Sequence, residues 1–496
     1  MQPSDRIHTP AVHRSPCSRS AVTLWLALAV CWASCCAAAP LNIDVPRIDG
    51  AIKDYMQHTH TPAVSVYVDQ GGAPLLVRAW GVADAEHNVR ASPDFAFEMG
   101  SISKSITAHA VLQLVVRGKL ALNGKVGDYL PTCTGPAAGA TIEQLLTHTA
   151  GLPDYMYQIP SLQGRFAPGT LTVPELAAAI CGAPLRFASG TFFSYSNSNY
   201  YLLGLIIEQV TGRSYYDVVE HDVVEPLHIG KFWSPQEALT LPRLAVGYVF
   251  HNGKLERTRW MDGVAAFSAG CWVTTASTLG RYRRAVYKSS LVDSRVRALL
   301  TTATQVSSGV TNDYMLGGMR RFEFDGLRAY THAGGSWGQF AYNAYYPERD
   351  LTIIVMTNEN PGGVGAAYAE RAIARIVLGI RFPSAAGGTP VHSPTRFVGR
   401  YVRTDTSAPA RSGEDPPQDE LVTLQGQQLA IASAETDGPL PLVVLHGETF
   451  GPSPFGLAPE PEELFVYRFS GRDRSGHALS LYVGETATSY TYSGAK

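Results

Sequence analysis

Ser101 and Lys104 stand three positions apart in "FEMGSISKSITAHAVLQLVV", residues 97–116, where an apolar run of helical period begins. On a helix that spacing puts both side chains on one face. The first helical turn adds unpaired N–H groups and the positive end of the peptide dipole, which together favour an anionic oxygen. A desolvated lysine beside such a turn loses its proton near neutrality and can take one from a serine hydroxyl, arming it as a nucleophile. Spacing alone does not carry this reading, because Ser starts helices as a cap and the same pair recurs as Ser493 and Lys496 with no apolar helix behind it.

Two further stretches supply company for the pair. "FFSYSNSNYYLLG" sets Tyr195 and Asn197 in a short polar loop ahead of the apolar helix "YYLLGLIIEQVTG". A phenol there can relay a proton, and an amide can both donate and accept; the plainer alternative is that Ser196 or Asn197 caps the helix while Tyr195 packs. "YTHAGGSWGQFAYNAYY" sets His332, Gly334 and Gly335 at the front of an expected strand, where glycines let a substrate approach the backbone.

Ser-x-x-Lys, then Tyr-x-Asn, then His-x-Gly, in this order, resembles the serine penicillin-recognising superfamily, which includes class C β-lactamases, penicillin-binding DD-peptidases, D-aminopeptidases and related esterases. "LLTHTAGLPDY" (145–155), "GKLALNGKVGDYLP" (118–131) and "FSAGCWVTTASTLGRY" (267–282) resemble the class C branch, so that the likeness spans residues 42–381. The resemblance implies that Ser101 is the acylated nucleophile and that Lys104 and Tyr195 shuttle its proton. It implies that Asn197, His332 and Gly334 meet the substrate, and that the backbone N–H groups of Ser101 and Gly335 form the oxyanion hole. His148 of "LLTHTAG" is set aside as structural. The family's usual Lys is replaced here by His332, and a neutral imidazole holds a substrate carboxylate weakly. Esters, amides or D-amino-acid peptides are therefore expected ahead of penicillins. An acylated penicillin-binding sensor with slow turnover is the alternative function.

The elements needed to hold these residues are legible in outline. "RIDGAIKDYMQ" reads as a helix, "AVSVYVDQGGAPLLVRAWGVADAE" as a hairpin about Gly71 and Gly72, residues 101–300 as largely helical, and "QFAYNAYYPERDLTIIVMTNE" as two strands followed by a helix. The expected fold is α+β and β-lactamase/transpeptidase-like: an antiparallel sheet built from both chain ends, flanked by helices, with an inserted helical lobe, over residues 40–381. A Pro/Gly/Ser-rich linker at 382–394 leads to a small all-β barrel or sandwich at 395–496. A loop of that domain is expected to narrow substrate access, and a binding role for the domain is a further alternative.

The 496-residue chain carries 40 Lys and Arg against 42 Asp and Glu, which leaves no basic footprint for nucleic acid. Function is expected in a pocket that takes a small-molecule or peptide substrate, cell-wall derived in one reading. No His/Cys/Asp ligand spacing or phosphate loop suggests a metal or cofactor. Residues 1–39, with three arginines ahead of "AVTLWLALAV" and the small residues "ASCCAAAP", read as a signal peptide, hence a periplasmic or secreted protein with no stable membrane insertion after its removal. An uncleaved anchor, or lipid on Cys35 or Cys36, is the alternative. Outside the leader stand Cys133, Cys181 and Cys271, of which the first two could pair in an oxidising compartment or remain buried thiols.

Overall fold

The computed structural model describes residues 41–380, apart from 42, 261–262, 308–310, 325 and 360–364, together with the backbone of eight strands between 399 and 494. The expected signal peptide and linker lie outside the described residues, as do the loops of the C-terminal domain. Helix α1, Val45–Thr59, starts where the Asp44 side chain accepts the Arg47 N–H and Pro46 fits the first turn; it stops at His60, whose φ is 58°. Strands β1 (Ala63–Gln70) and β2 (Ala73–Asp84) then form the expected hairpin, with Gly71 and Gly72 both at positive φ in the turn, and β3 (Val89–Arg90) follows at the sheet's edge.

The rest of the sheet comes from the other end of the lobe. Strands β4 (Arg320–Phe324), β5 (Leu327–Gly335), β6 (Phe340–Tyr346) and β7 (Leu351–Thr357) join it in the order β4-β5-β6-β7-β1-β2-β3, antiparallel throughout. The two ends meet where β1 pairs with β7, Val66 opposite Val355. Central strands are buried on both faces, so successive side chains feed two different cores. Val64, Val66, Val68, Ile353 and Val355 pack with Ile48 and Ile52 of α1 and with Ile373, whereas Tyr67, Ile354 and Met356 join the core of the helical lobe.

In that lobe α2, Ser103–Val116, is buried around nearly its whole circumference, as a helix at the centre of a core must be. Helices α3 (Asn197–Thr211) and α4 (Ala276–Lys288) flank it, and α5 (Gly365–Leu378) closes the opposite face of the sheet beside α1. Gly280 of α4 permits this packing at one point, because a Cβ there would lie 2.2 Å from the Tyr67 ring. Cys133 and Cys181 form a disulfide, with Cα atoms 5.3 Å apart, while Cys271 is a buried free thiol.

Two expectations need correction. The stretch 101–300 is not uniformly helical: Tyr248–His251 and Lys254–Arg257 form a hairpin through Asn252-Gly253, both at positive φ. The Asn-Gly pair was the missed turn signal. His332 is also not at the front of a strand. It lies late in β5, and β4 and β5 were both overlooked, β4 being an edge strand whose Arg320 and Arg321 break the apolar pattern.

The eight C-terminal strands, Gly399–Arg403 through Thr488–Gly494, pair in sequence and close into an antiparallel barrel when the first meets the last. Ser493 of the second Ser-x-x-Lys lies in that last strand, not at a helix start. Among the described residues no helix is long and apolar enough to cross a membrane.

Candidate active site

Ser101 sits in a single 3-10 turn, Gly100–Ile102, directly ahead of α2, and Lys104 occupies the first turn of the helix. The turn is pressed against the end of β5. A Cβ on Gly334 would lie 1.9 Å from Met99 O, and one on Gly100, whose φ is +49°, would lie 2.5 Å from Gly335 O. Two glycines thus allow backbone to meet backbone, which brings Ser101 and Gly335 to the same wall of one cavity.

Lys104 is fully buried. Its Nζ lies 2.9 Å from Ser101 Oγ, 2.7 Å from Asn197 Oδ1 and 2.7 Å from the Ala269 carbonyl oxygen. Asn197 Oδ1 and Ala269 O can only accept, so a neutral amine gives them its two N–H groups and keeps its lone pair for the third neighbour, the serine hydroxyl. Burial pushes the Lys104 pKa down to about 7, against the opposing pull of the Asp154 charge. The site therefore suits a lysine that exchanges between its charged and neutral forms near neutral pH and, when neutral, faces a serine O–H.

Asp154 escaped notice in the sequence. It is nearly buried, and its Oδ2 accepts both the backbone N–H and the Nδ2–H of Asn197 at 2.8 Å, while Oδ1 accepts the Met156 N–H. Burial raises its pKa. The signal was present in "LLTHTAGLPDY", where an acid follows Pro in an otherwise apolar and small-residue stretch. Asn197 is consequently held at both ends of its amide, Oδ1 by Lys104 and Nδ2 by Asp154.

Tyr195 lies at the rim of the same group, with Lys104 Nζ 5.0 Å from its ring centroid. Burial raises the phenol's pKa and the neighbouring Ser101 opposes that rise, yet its Oη makes no settled hydrogen bond. A buried hydroxyl without a partner is free to exchange protons with whatever enters the cavity. Beyond Gly335, Ser336 Oγ donates to Glu98 Oε2 at 2.7 Å, and the Glu98 N–H is accepted by Gln339 Oε1 at 2.9 Å, which ties down the turn after β5.

The cavity has a volume of about 360 Å³ and is lined by Ser101, Asp154, Tyr195, Asn197 and Gly335, with Met156, Tyr157, Ser336 and Trp337 among its other walls. Among the described residues no Lys or Arg side chain lines it. His332 and Gly334 are not among its lining residues. Gly334 is occupied in packing on Met99. His332 Nδ1–H is directed at the Ala333 carbonyl, which leaves Nε2 to accept the Tyr314 hydroxyl at 2.9 Å. Burial, helped by the charge of Lys104, lowers the His332 pKa to about 3, so the ring is neutral.

Elsewhere, Asp84, Glu86 and His87 bring ligand-type atoms within 4.8 Å of one another, a grouping the sequence reading did not pick out. His87 Nδ1 is paired with Asp84 Oδ2 at 2.7 Å and Glu86 with Arg257, an ordinary partly exposed charge cluster.

The pattern of the Beta-lactamase family matches residues 48–378, two-thirds of the sequence and every cavity residue. The chain belongs to that family. Within the serine β-lactamase and penicillin-binding superfamily its relatives are varied. Protein flp of Staphylococcus aureus (strain COL) is 32% identical over 211 residues, 42% of each chain, so this chain matches less than half the length of that relative. A penicillin-binding protein of Bacillus subtilis (strain 168) is 26% identical over 369 residues, 69% of this chain and 80% of its own. The octameric penicillin-binding protein homologue from Pyrococcus abyssi shares the fold with a TM-score of 0.61 at 20% identity, covering 90% of this chain and all of that one. The D-amino acid amidase from Ochrobactrum anthropi SV3 does so at 0.58 and 21%, covering 68% and 97%. At such identities the structural likeness shows fold alone.

Proposed function

We propose that this Beta-lactamase family member is a serine hydrolase that works through an acyl-enzyme on Ser101. The observation that carries the reading is the Lys104 environment: two obligate acceptors can take the two N–H groups of a neutral amine, which leaves its lone pair for the Ser101 hydroxyl. In the first half-reaction Lys104 takes the Ser101 proton as Oγ bonds to the acyl carbon. The carbonyl oxygen gathers negative charge in front of the N–H groups of Ser101 and Gly335. Tyr195 passes a proton to the departing amine or alcohol as its bond to carbon breaks, and Lys104 returns the proton it took from Ser101 to the phenolate, so that both groups are reset. Water then repeats the sequence on the acyl-serine, giving the acid and restoring Ser101.

The substrate is an ester or amide with no carboxylate beside the reacting carbonyl, D-amino-acid peptides included, and β-lactams are poor substrates. Support comes from the cavity wall, where the described residues offer an anion no Lys or Arg, and from the neutral, internally bonded His332. It also comes from relatives of the same fold that include a D-amino acid amidase and EstCE1, a hydrolase with acyltransferase activity. The Cys133–Cys181 disulfide suits an oxidising compartment, and with the leader-like first 39 residues it supports export.

The test is to treat purified protein with a fluorophosphonate and a labelled penicillin, map the added mass, and assay p-nitrophenyl esters, D-alanyl anilides and a chromogenic cephalosporin. Fast turnover of the first two and labelling at Ser101, both abolished in Ser101→Ala, are expected. A stable one-to-one penicillin adduct without turnover of any substrate would instead identify an acylated sensor.

A further inference from the structure

We infer that His148, which contacts no substrate in this reading, is a positioning residue that holds Tyr195 against Lys104. The inference rests on the proposed role of Tyr195 as proton relay. His148 is fully buried and lies directly after the short helix Ile142–Leu146, with φ of +56°. Few side chains adopt that conformation without compensation from their surroundings. The compensation is visible on Nδ1, which accepts the backbone N–H of Ser196 at 3.2 Å and the Nδ2–H of Asn199 at 3.0 Å. Ser196 lies between Tyr195 and Asn197, so one imidazole nitrogen fixes the segment that carries both.

The ring does the second half of the work. Its centroid lies 4.3 Å from that of Tyr195, the two planes tilted by 33°, and 4.6 Å from Tyr314 edge-on. Tyr314 in turn gives its hydroxyl to His332. His148 is thus the packing surface under the phenol and the link between the Tyr195 loop and β5. With Nδ1 accepting two N–H groups, the ring must be the neutral tautomer with its proton on Nε2, and that nitrogen has no partner. Burial and the nearby Lys104 charge both act against a second proton. A protonated His148 would lose the acceptor that Ser196 and Asn199 need.

The experiment compares His148→Phe, which keeps a ring and loses the acceptor, with His148→Asn, whose carbonyl oxygen can stand where Nδ1 stood. Wild-type labelling at Ser101 by fluorophosphonate is established first. With p-nitrophenyl ester as substrate, His148→Phe is expected to lose about 10²-fold in kcat with KM little changed, as a small misplacement of a relay group does. His148→Asn should recover most of the loss. In a crystal structure of His148→Phe the Tyr195 ring should be displaced from Lys104. If the Phe variant does not fold, His148→Leu, which also lacks an acceptor, replaces it. Unchanged kcat in the acceptor-free variant, or equal losses in the acceptor-free and Asn variants, would overturn the inference. Should the wild type resist labelling, the hydrolase reading fails by itself, and the position of Tyr195 in the variant structure still decides the role of His148.

Discussion

Lys104 Nζ and Asn197 Oδ1 are 2.7 Å apart, and the far end of the same amide is gripped by Asp154 at 2.8 Å. An amide therefore stands between an amine and a carboxylate that would otherwise form a direct ion pair. Direct pairing would keep the lysine protonated. The amide instead passes orientation to Nζ while weakening the pull of the negative charge.

Asp154 still raises the proton affinity of Lys104, so removing its charge should move activity along the pH axis. A group that must be neutral to act gives a rate that rises with pH through its pKa. Asp154→Asn lowers the Lys104 pKa, and the acidic limb of kcat/KM for an ester substrate should shift down by about one pH unit. The plateau should fall as well, because one carboxylate oxygen that holds Asn197 is lost. A limb that does not move would remove Asp154 from the electrostatics of the site.

Gly334 should be intolerant of any side chain. An added methyl meets Met99 O at 1.9 Å, backbone against backbone, so either β5 or the Ser101 turn must retreat. Gly334→Ala is expected to cost about 1–3 kcal/mol of stability by overpacking and to lower ester hydrolysis by about 10²-fold through displacement of the proposed oxyanion donors, the N–H groups of Ser101 and Gly335. Urea unfolding and steady-state kinetics on the same preparation check both parts.

The Cys133–Cys181 bridge closes a loop with a sequence separation of 48 and ties the segment after Leu130 to the helix Val173–Gly182. In the chain-entropy picture such a loop contributes about 4 kcal/mol. The double variant Cys133→Ala/Cys181→Ala should therefore unfold at clearly lower urea concentration than the oxidised protein. Its midpoint should be unaffected by dithiothreitol, which lowers that of the wild type.

The parts of this molecule that could be read in the sequence are those where one local pattern dictates one structure. Ser101 and Lys104 head an apolar helix, Gly71-Gly72 makes a hairpin, and the apolar runs of β6 and β7 fit only a doubly covered strand. What escaped depends on contacts between distant segments. Asp154 matters because Asn197, 43 residues later, folds onto it. Nothing local to Gly334 shows that Met99 O fills the space a Cβ would need. The partner of the His332 acceptor nitrogen, Tyr314, cannot be inferred from "YTHAGG" alone. Edge strand β4 was lost for another reason: charge on an exposed strand edge is useful to the protein and hides the alternation that marks a strand.

The most direct measurement is the rate at which a fluorophosphonate modifies Ser101 as a function of pH, in wild type and in Lys104→Ala. Abstraction of the hydroxyl proton by a neutral Lys104 predicts a wild-type rate that climbs tenfold per pH unit at low pH and levels off above about 7, with the Ala variant slower by about 10²-fold or more. Equal rates in the two proteins, or a wild-type rate indifferent to pH across that range, would contradict it.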